Sequence, residues 1–206
     1  MFDKSLRQVK EKILFPFAKI IGKYFHPNIV SVFAFILGLI SCYFVLILSF
    51  HLAFIFWILN RIFDGIDGTA ARVSNRQSDF GGYLDILLDF ILYALIPISF
   101  TFTTDKNNIG SSSWFALVIM LGVFYVNAAS WMFLSSILEK WGQSFNSNKK
   151  MTTITIPSGL IEGFETIVIY SLFFFLYEYL SIIYLIMSGL VIIGVIQRII
   201  WAAIKL

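Results

Sequence analysis

The chain has 206 residues, 59% hydrophobic, 18% aromatic and only 13% charged, with a mean hydropathy of +0.86 and a formal net charge of +3. Those values lie far outside the soluble globular range and exclude a nucleic-acid-binding module, which needs dense basic surface. Cys42 is the lone cysteine, set in an apolar run, so it permits no internal disulfide and reads as a packing residue.

The first element expected is an amphipathic helix over residues 1–26, lying in the headgroup layer. Phe2, Leu6, Val9, Ile13, Phe17, Ile20 and Tyr24 recur every three or four residues, with Lys4, Arg7, Lys10 and Lys12 on the other side. Pro16 is expected to kink it and His26-Pro27-Asn28 to end it. Six transmembrane helices follow within 29–203, at about 29–50, 52–72, 80–102, 114–138, 160–177 and 180–203. Each is near the roughly 20 residues that cross a bilayer core of about 30 Å. The longest polar connection is expected at 139–153. The fold class is therefore an all-α integral membrane protein, with residues 1–206 as a single domain in which an interfacial helix precedes a six-helix bundle.

Basic residues orient the bundle. Lys4, Arg7, Lys10, Lys12, Lys19 and Lys23 precede the first span, and Arg72 and Arg76 follow the second. Lys140, Lys149 and Lys150 follow the fourth, and Arg198 and Lys205 close the sixth, whereas Lys106 falls on the opposite side. The positive-inside rule then puts both termini, and the loop between the second and third spans, in the cytoplasm. Chain size and the lack of a cleavable leader fit a bacterial inner membrane.

The flanks of that cytoplasmic loop hold the chemistry. Asp64 and Asp67 are three apart near the end of the second span, and Asp85 and Asp89 are four apart near the start of the third. Either spacing puts both carboxylates on one helix face, and a short loop makes the two helices antiparallel neighbours, so four carboxylates converge on one pocket. They cannot all stay ionised at such range without cations. Hard oxygen donors suit Mg²⁺ or Mn²⁺, and two ions about 3.5–4 Å apart are the usual clamp for a phosphoryl displacement. Gly65, Gly68, Gly81 and Gly82 would let a ligand or a helix approach the backbone closely. A structural reading, in which intramembrane aspartates merely pair helices, accounts poorly for four in 26 residues.

Asp64-Gly-Ile-Asp67-Gly68-Thr-Ala-Ala71-Arg72, eight residues, then Gly81-Gly-Tyr-Leu-Asp85-Ile-Leu-Leu-Asp89 resembles the signature of the CDP-alcohol phosphatidyltransferase family at every fixed position. The resemblance implies a metal-dependent transferase, with two Mg²⁺ or Mn²⁺ ions, that moves a substituted phosphate from a CDP-alcohol, usually CDP-diacylglycerol, to a small polar acceptor alcohol and releases CMP. It implies Asp64, Asp67, Asp85 and Asp89 as metal ligands, Asp89 also as general base, and Gly68, Ala71, Arg72 and Gly81 as the CDP pocket. It further implies membrane lipids as surroundings and a homodimer, for which Gly38, Gly122, Gly189 and Gly194 offer close helix contacts.

Other polar residues have weaker claims. Arg61, three before Asp64, is either a counter-ion to the aspartates or a ligand for a lipid phosphate. Glu162 and Glu165, at the entry of the fifth span, either face the acceptor or answer the helix dipole. Arg76, Lys149 and Lys150 are candidates for a phosphate on the acceptor. Two rivals stand beside the transferase: an aspartate-rich membrane prenyltransferase, whose acidic motifs lie far apart in sequence, and a cation transporter, which needs a polar path that the far ends of these spans lack.

Overall fold

The computed structural model describes residues 14–146, 161 and 163–206, and every regular element among them is helical. They are α1 (14–24), α2 (Pro27–Leu46), α3 (Phe50–Val73), α4 (Asp79–Lys106), α5 (Trp114–Asn146), α6 (Gly163–Phe173) and α7 (Leu180–Lys205), with a 3-10 turn at Tyr177–Tyr179 before α7. α2, α4, α5 and the stretch Tyr177–Lys205 are long and apolar enough to cross a membrane. α3 has 24 residues but carries Arg61, Asp64, Asp67 and Arg72.

Three connections use one device. After α2, α3 and α4 the second residue beyond the helix adopts the left-handed conformation: Leu48 (φ 61°), Asn75 (φ 53°) and Asn108 (φ 53°). In each, two amides turn back to the last turn. After α3, for instance, Asn75 N–H donates to Arg72 O and Arg76 N–H to Ala71 O at 3.4 and 3.0 Å. This double bond satisfies orphan carbonyls of the helix end and reverses the chain within a few residues. The next helix is then capped afresh. Ser78 Oγ accepts from Gly81 N–H at 3.0 Å, and Pro27 sits in the first turn of α2, where its missing N–H is harmless.

The chain divides into two compact units. The first contains α1–α4 with residues 167–180. Here α2 packs against both α3 and α4, and its Gly38 leaves no room for a Cβ, which would lie 2.5 Å from Leu92 Cδ1. Two polar contacts fix α2 on α3: Asn60 Nδ2 donates to Ala34 O at 2.8 Å and Ser41 Oγ to Ala53 O at 2.7 Å. α1 meets α3 through small residues, Ala18 and Gly22 against Ala70. The stripe picked out by apolar periodicity, Phe17, Ile20 and Tyr24, is exposed, and residues 1–13 lie outside the described set.

An aromatic cluster closes this unit. Trp57 stacks on Tyr170, Phe100 meets Phe174 edge-on, and Phe50 stacks on Tyr177. Pro97 inside α4 has no N–H to give to Tyr93 O, four residues back, and the Tyr170 hydroxyl donates to that carbonyl instead, at 2.6 Å. The second unit contains α5, residues 163–166 and most of α7. There the buried Arg198 donates through Nη1 to Asn127 O, Asn127 Oδ1 and Ser130 Oγ, all neutral acceptors, while its Nε has no partner.

Three boundaries differ from expectation. α2 stops at Leu46 rather than near 50, because the left-handed Leu48 closes it. α5 runs on to Asn146 through a segment expected to be loop, since polarity alone does not end a helix. α6 ends at Phe173 rather than 177, where Phe174 and Phe175 turn into the aromatic cluster against Phe100 and Phe54.

Candidate active site

The turn at 74–78 sets the level of α4 against α3, and so decides which aspartates meet. Asp67 and Asp85 stand seven residues to either side of the turn, and Asp89, four residues further along α4, meets Arg61. A carboxylate oxygen from each of Asp64, Asp67 and Asp85 lies within 4.8 Å of the others. Asp89 lies outside that group. Its Oδ1 accepts from Arg61 Nη2 at 2.8 Å, and Arg61 Nη1 lies 3.9 Å from Asp64 Oδ2. Four convergent carboxylates therefore resolve into a cluster of three and a fourth held on an arginine. Arg61 is the counter-ion of its two readings.

The cluster fits a divalent cation. Asp67 is 4% exposed, and its Oδ2 is buried without a hydrogen-bond partner, the condition of an oxygen awaiting a ligand. The donors are all hard oxygens. Ligands on one octahedral ion with bonds of about 2.1 Å lie about 3.0 Å apart when adjacent and about 4.2 Å when opposite, so a group spread over as much as 4.8 Å must draw in around the ion.

Beside the cluster opens a cavity of about 210 Å³. Gly68, Ala71 and Arg72 of α3 and Gly81 of α4 all line it, together with Asp67 and Asp85. So does Arg76 from the turn. Five further contributors were not expected at the site. Pro27, Asn28 and Ser31 come from the first turns of α2, and Gln77 and Ser78 from the turn between α3 and α4. Ser78 had a legible signal, since a serine before an apolar helix marks a cap. Asn28 and Ser31 had none, because only the packing of α2 brings them to residues some 40 positions away. Gly81 leaves little room there, as a Cβ on it would meet Asn28 Oδ1 at 3.0 Å.

Glu165 stands in the first turn of α6, in the second unit, where the helix dipole favours an acid. Glu162, Lys149 and Lys150 lie outside the described residues.

A family model described as CDP-alcohol phosphatidyltransferase matches residues 24–203, nearly the whole chain. The chain belongs to the CDP-alcohol phosphatidyltransferase family. Inner membrane protein YnjF of Escherichia coli is 28% identical over 173 residues, covering 84% of this chain and 81% of that protein. The bifunctional IPC transferase and DIPP synthase of Thermococcus kodakarensis is 38% identical over 103 residues, 49% of this chain and 23% of the larger protein. A CDP-diacylglycerol–serine O-phosphatidyltransferase of Helicobacter pylori is 30% identical over 87 residues, 42% of this chain and 37% of that one. Membership makes this protein a transferase of a phosphatidyl group from a CDP-alcohol. It weighs against both the prenyltransferase and the cation carrier.

Proposed function

We propose that this protein is a six-span enzyme of the bacterial inner membrane that transfers the phosphatidyl group of CDP-diacylglycerol to a small polar alcohol and releases CMP at the cytoplasmic face. The observation that carries the reading is the trio Asp64, Asp67 and Asp85, of which Asp67 and Asp85 line a cavity together with Gly68, Ala71, Arg72 and Gly81. The names of the relatives support it: one set acts with CDP-diacylglycerol, and one protein resides in the inner membrane. The excess of Lys and Arg around the turn at 74–78 and the N-terminal segment supports the cytoplasmic orientation.

Asp64, Asp67 and Asp85 would hold Mg²⁺ or Mn²⁺, which when bound would supply charge neutralisation for the diphosphate and the departing CMP. Arg72 and Arg76, cations on the same cavity wall, bind the nucleotide phosphates, and the small side chains of Gly68, Ala71 and Gly81 make room for them. Asp89, outside the trio, takes the proton of the acceptor hydroxyl as its oxygen attacks the phosphorus on the lipid side. The bond from that phosphorus to the CMP oxygen breaks, and the phosphatidyl group passes to the acceptor. Lipid tails reach the phosphorus laterally from the bilayer.

The test is CMP release from CDP-diacylglycerol by the purified protein with Mg²⁺, offering serine, glycerol 3-phosphate, inositol 1-phosphate and myo-inositol separately. Release that depends on one acceptor supports the transferase and names that acceptor. An absence of release with every acceptor, and with CDP-choline as an alternative donor, refutes it.

A further inference from the structure

We propose that Arg61 is a positioning residue for the reaction, holding Asp89 by one oxygen apart from the three clustered aspartates. The inference rests on the reading of Asp89 as the base that takes the acceptor's proton. Arg61 is 6% exposed and lies outside the family's signature positions.

Its guanidinium is fixed on every side. Nε donates to Asn60 Oδ1 at 2.7 Å, Nη1 to the Tyr93 hydroxyl at 3.2 Å and Nη2 to Asp89 Oδ1 at 2.8 Å. Its plane lies over Trp57, 4.8 Å from the ring centroid, and near Tyr93 at 5.5 Å. These partners are themselves anchored. Asn60 is tied to Ala34 O of α2, and Trp57 Nε1 donates to Ser171 Oγ. Tyr93 is held from behind by Tyr170 at the carbonyl that Pro97 leaves open. A group so constrained is preorganised, and it imposes its geometry on its mobile partner.

The consequence is a division of labour among like residues. A carboxylate one turn from three others would be drawn by any cation they bind. A fixed positive fork level with Asp89 competes for it, engages Oδ1 and leaves Oδ2 outside that contact for the acceptor hydroxyl. Lysine cannot do the same work, because a single ammonium has no planar fork to reach Asn60, Tyr93 and Asp89 together.

The experiment compares Arg61→Met and Arg61→Lys with the wild type, full-length and purified, in three readouts: turnover with KM for CDP-diacylglycerol, Mn²⁺ binding by electron paramagnetic resonance, and restoration of turnover by added guanidinium ion. The expected result for Arg61→Met is a fall in turnover of about 100-fold, the scale of an ångström's misplacement of a reacting group. KM for the donor should be unchanged, Mn²⁺ binding should be kept or tightened as the freed Asp89 turns toward the ion, and guanidinium should restore part of the turnover. Arg61→Lys should also be slow, and it decides the matter if Arg61→Met does not fold. Undiminished turnover in Arg61→Lys and Arg61→Met overturns the proposal, as does a loss of Mn²⁺ binding and donor affinity in step with turnover. A wild type inert with every acceptor overturns the transferase reading and this inference together, whereas an active wild type with active variants overturns this inference alone.

Discussion

Substituting Tyr170 by Phe removes one hydroxyl and leaves the ring stacked on Trp57, so it isolates the hydrogen bond to Tyr93 O. In the wild type that carbonyl lacks its helical donor, because residue 97 is proline. Losing the hydroxyl strands a buried carbonyl, at a cost of about 1–3 kcal/mol. In a Pro97→Ala background, the backbone N–H restored at that position can bond Tyr93 O, and the same deletion should cost only the net worth of an ordinary hydrogen bond, about 0.5–1.5 kcal/mol. The double-mutant cycle should therefore show a coupling of about 1 kcal/mol between residues 97 and 170, read from denaturant unfolding of the four proteins in one detergent. Equal losses in the two backgrounds would refute the claim that Tyr170 replaces the donor that Pro97 lacks.

The other expectations follow from the same contacts. Gly38→Ala should destabilise by about 1–3 kcal/mol through overpacking on Leu92, and the same substitution should cost less in a Leu92→Ala background, both measured by thermal unfolding. Ser78→Ala should cost about 1 kcal/mol by uncapping α4, visible in the same assay without a change in Mn²⁺ binding. Asp67→Asn should raise the stability of the metal-free protein, since it removes a buried charge crowded by Asp64 and Asp85. It should also abolish the stabilisation that Mg²⁺ gives the wild type, about 2.7 kcal/mol at a hundredfold excess over Kd. A metal-free Asp67→Asn protein less stable than the wild type would count against the crowding of these carboxylates.

The pairings on α3 and α4 were legible because helical spacing and a short polar connection suffice to put Asp64, Asp67 and Asp85 on facing surfaces. The separation of Asp89 was not, because it depends on how far α4 is slid along α3. That offset depends on the turn built from the left-handed Asn75 and the return hydrogen bonds donated by the Asn75 and Arg76 amides, not on any property of the aspartates. Arg61 showed two possible roles for the same reason. The end of α6 was hidden by hydropathy. Phe174, Phe175 and Leu176 continue an apolar run without glycine or proline, and only aromatic packing against Phe100, Trp57 and Phe54 breaks the helix there. The α2 wall of the cavity, Asn28 and Ser31, belongs to a different segment of chain and needed the packed unit to become visible.

The most direct test of the account is Mg²⁺-dependent CMP release from CDP-diacylglycerol, with the acceptor that supports it, by the wild type and by Asp64→Asn, Asp67→Asn, Asp85→Asn and Asp89→Asn. The first three should lose CMP release and Mn²⁺ binding together, whereas Asp89→Asn should lose release and keep Mn²⁺ bound by the other three. Release that persists in Asp67→Asn, or that needs no divalent ion in the wild type, would contradict the account.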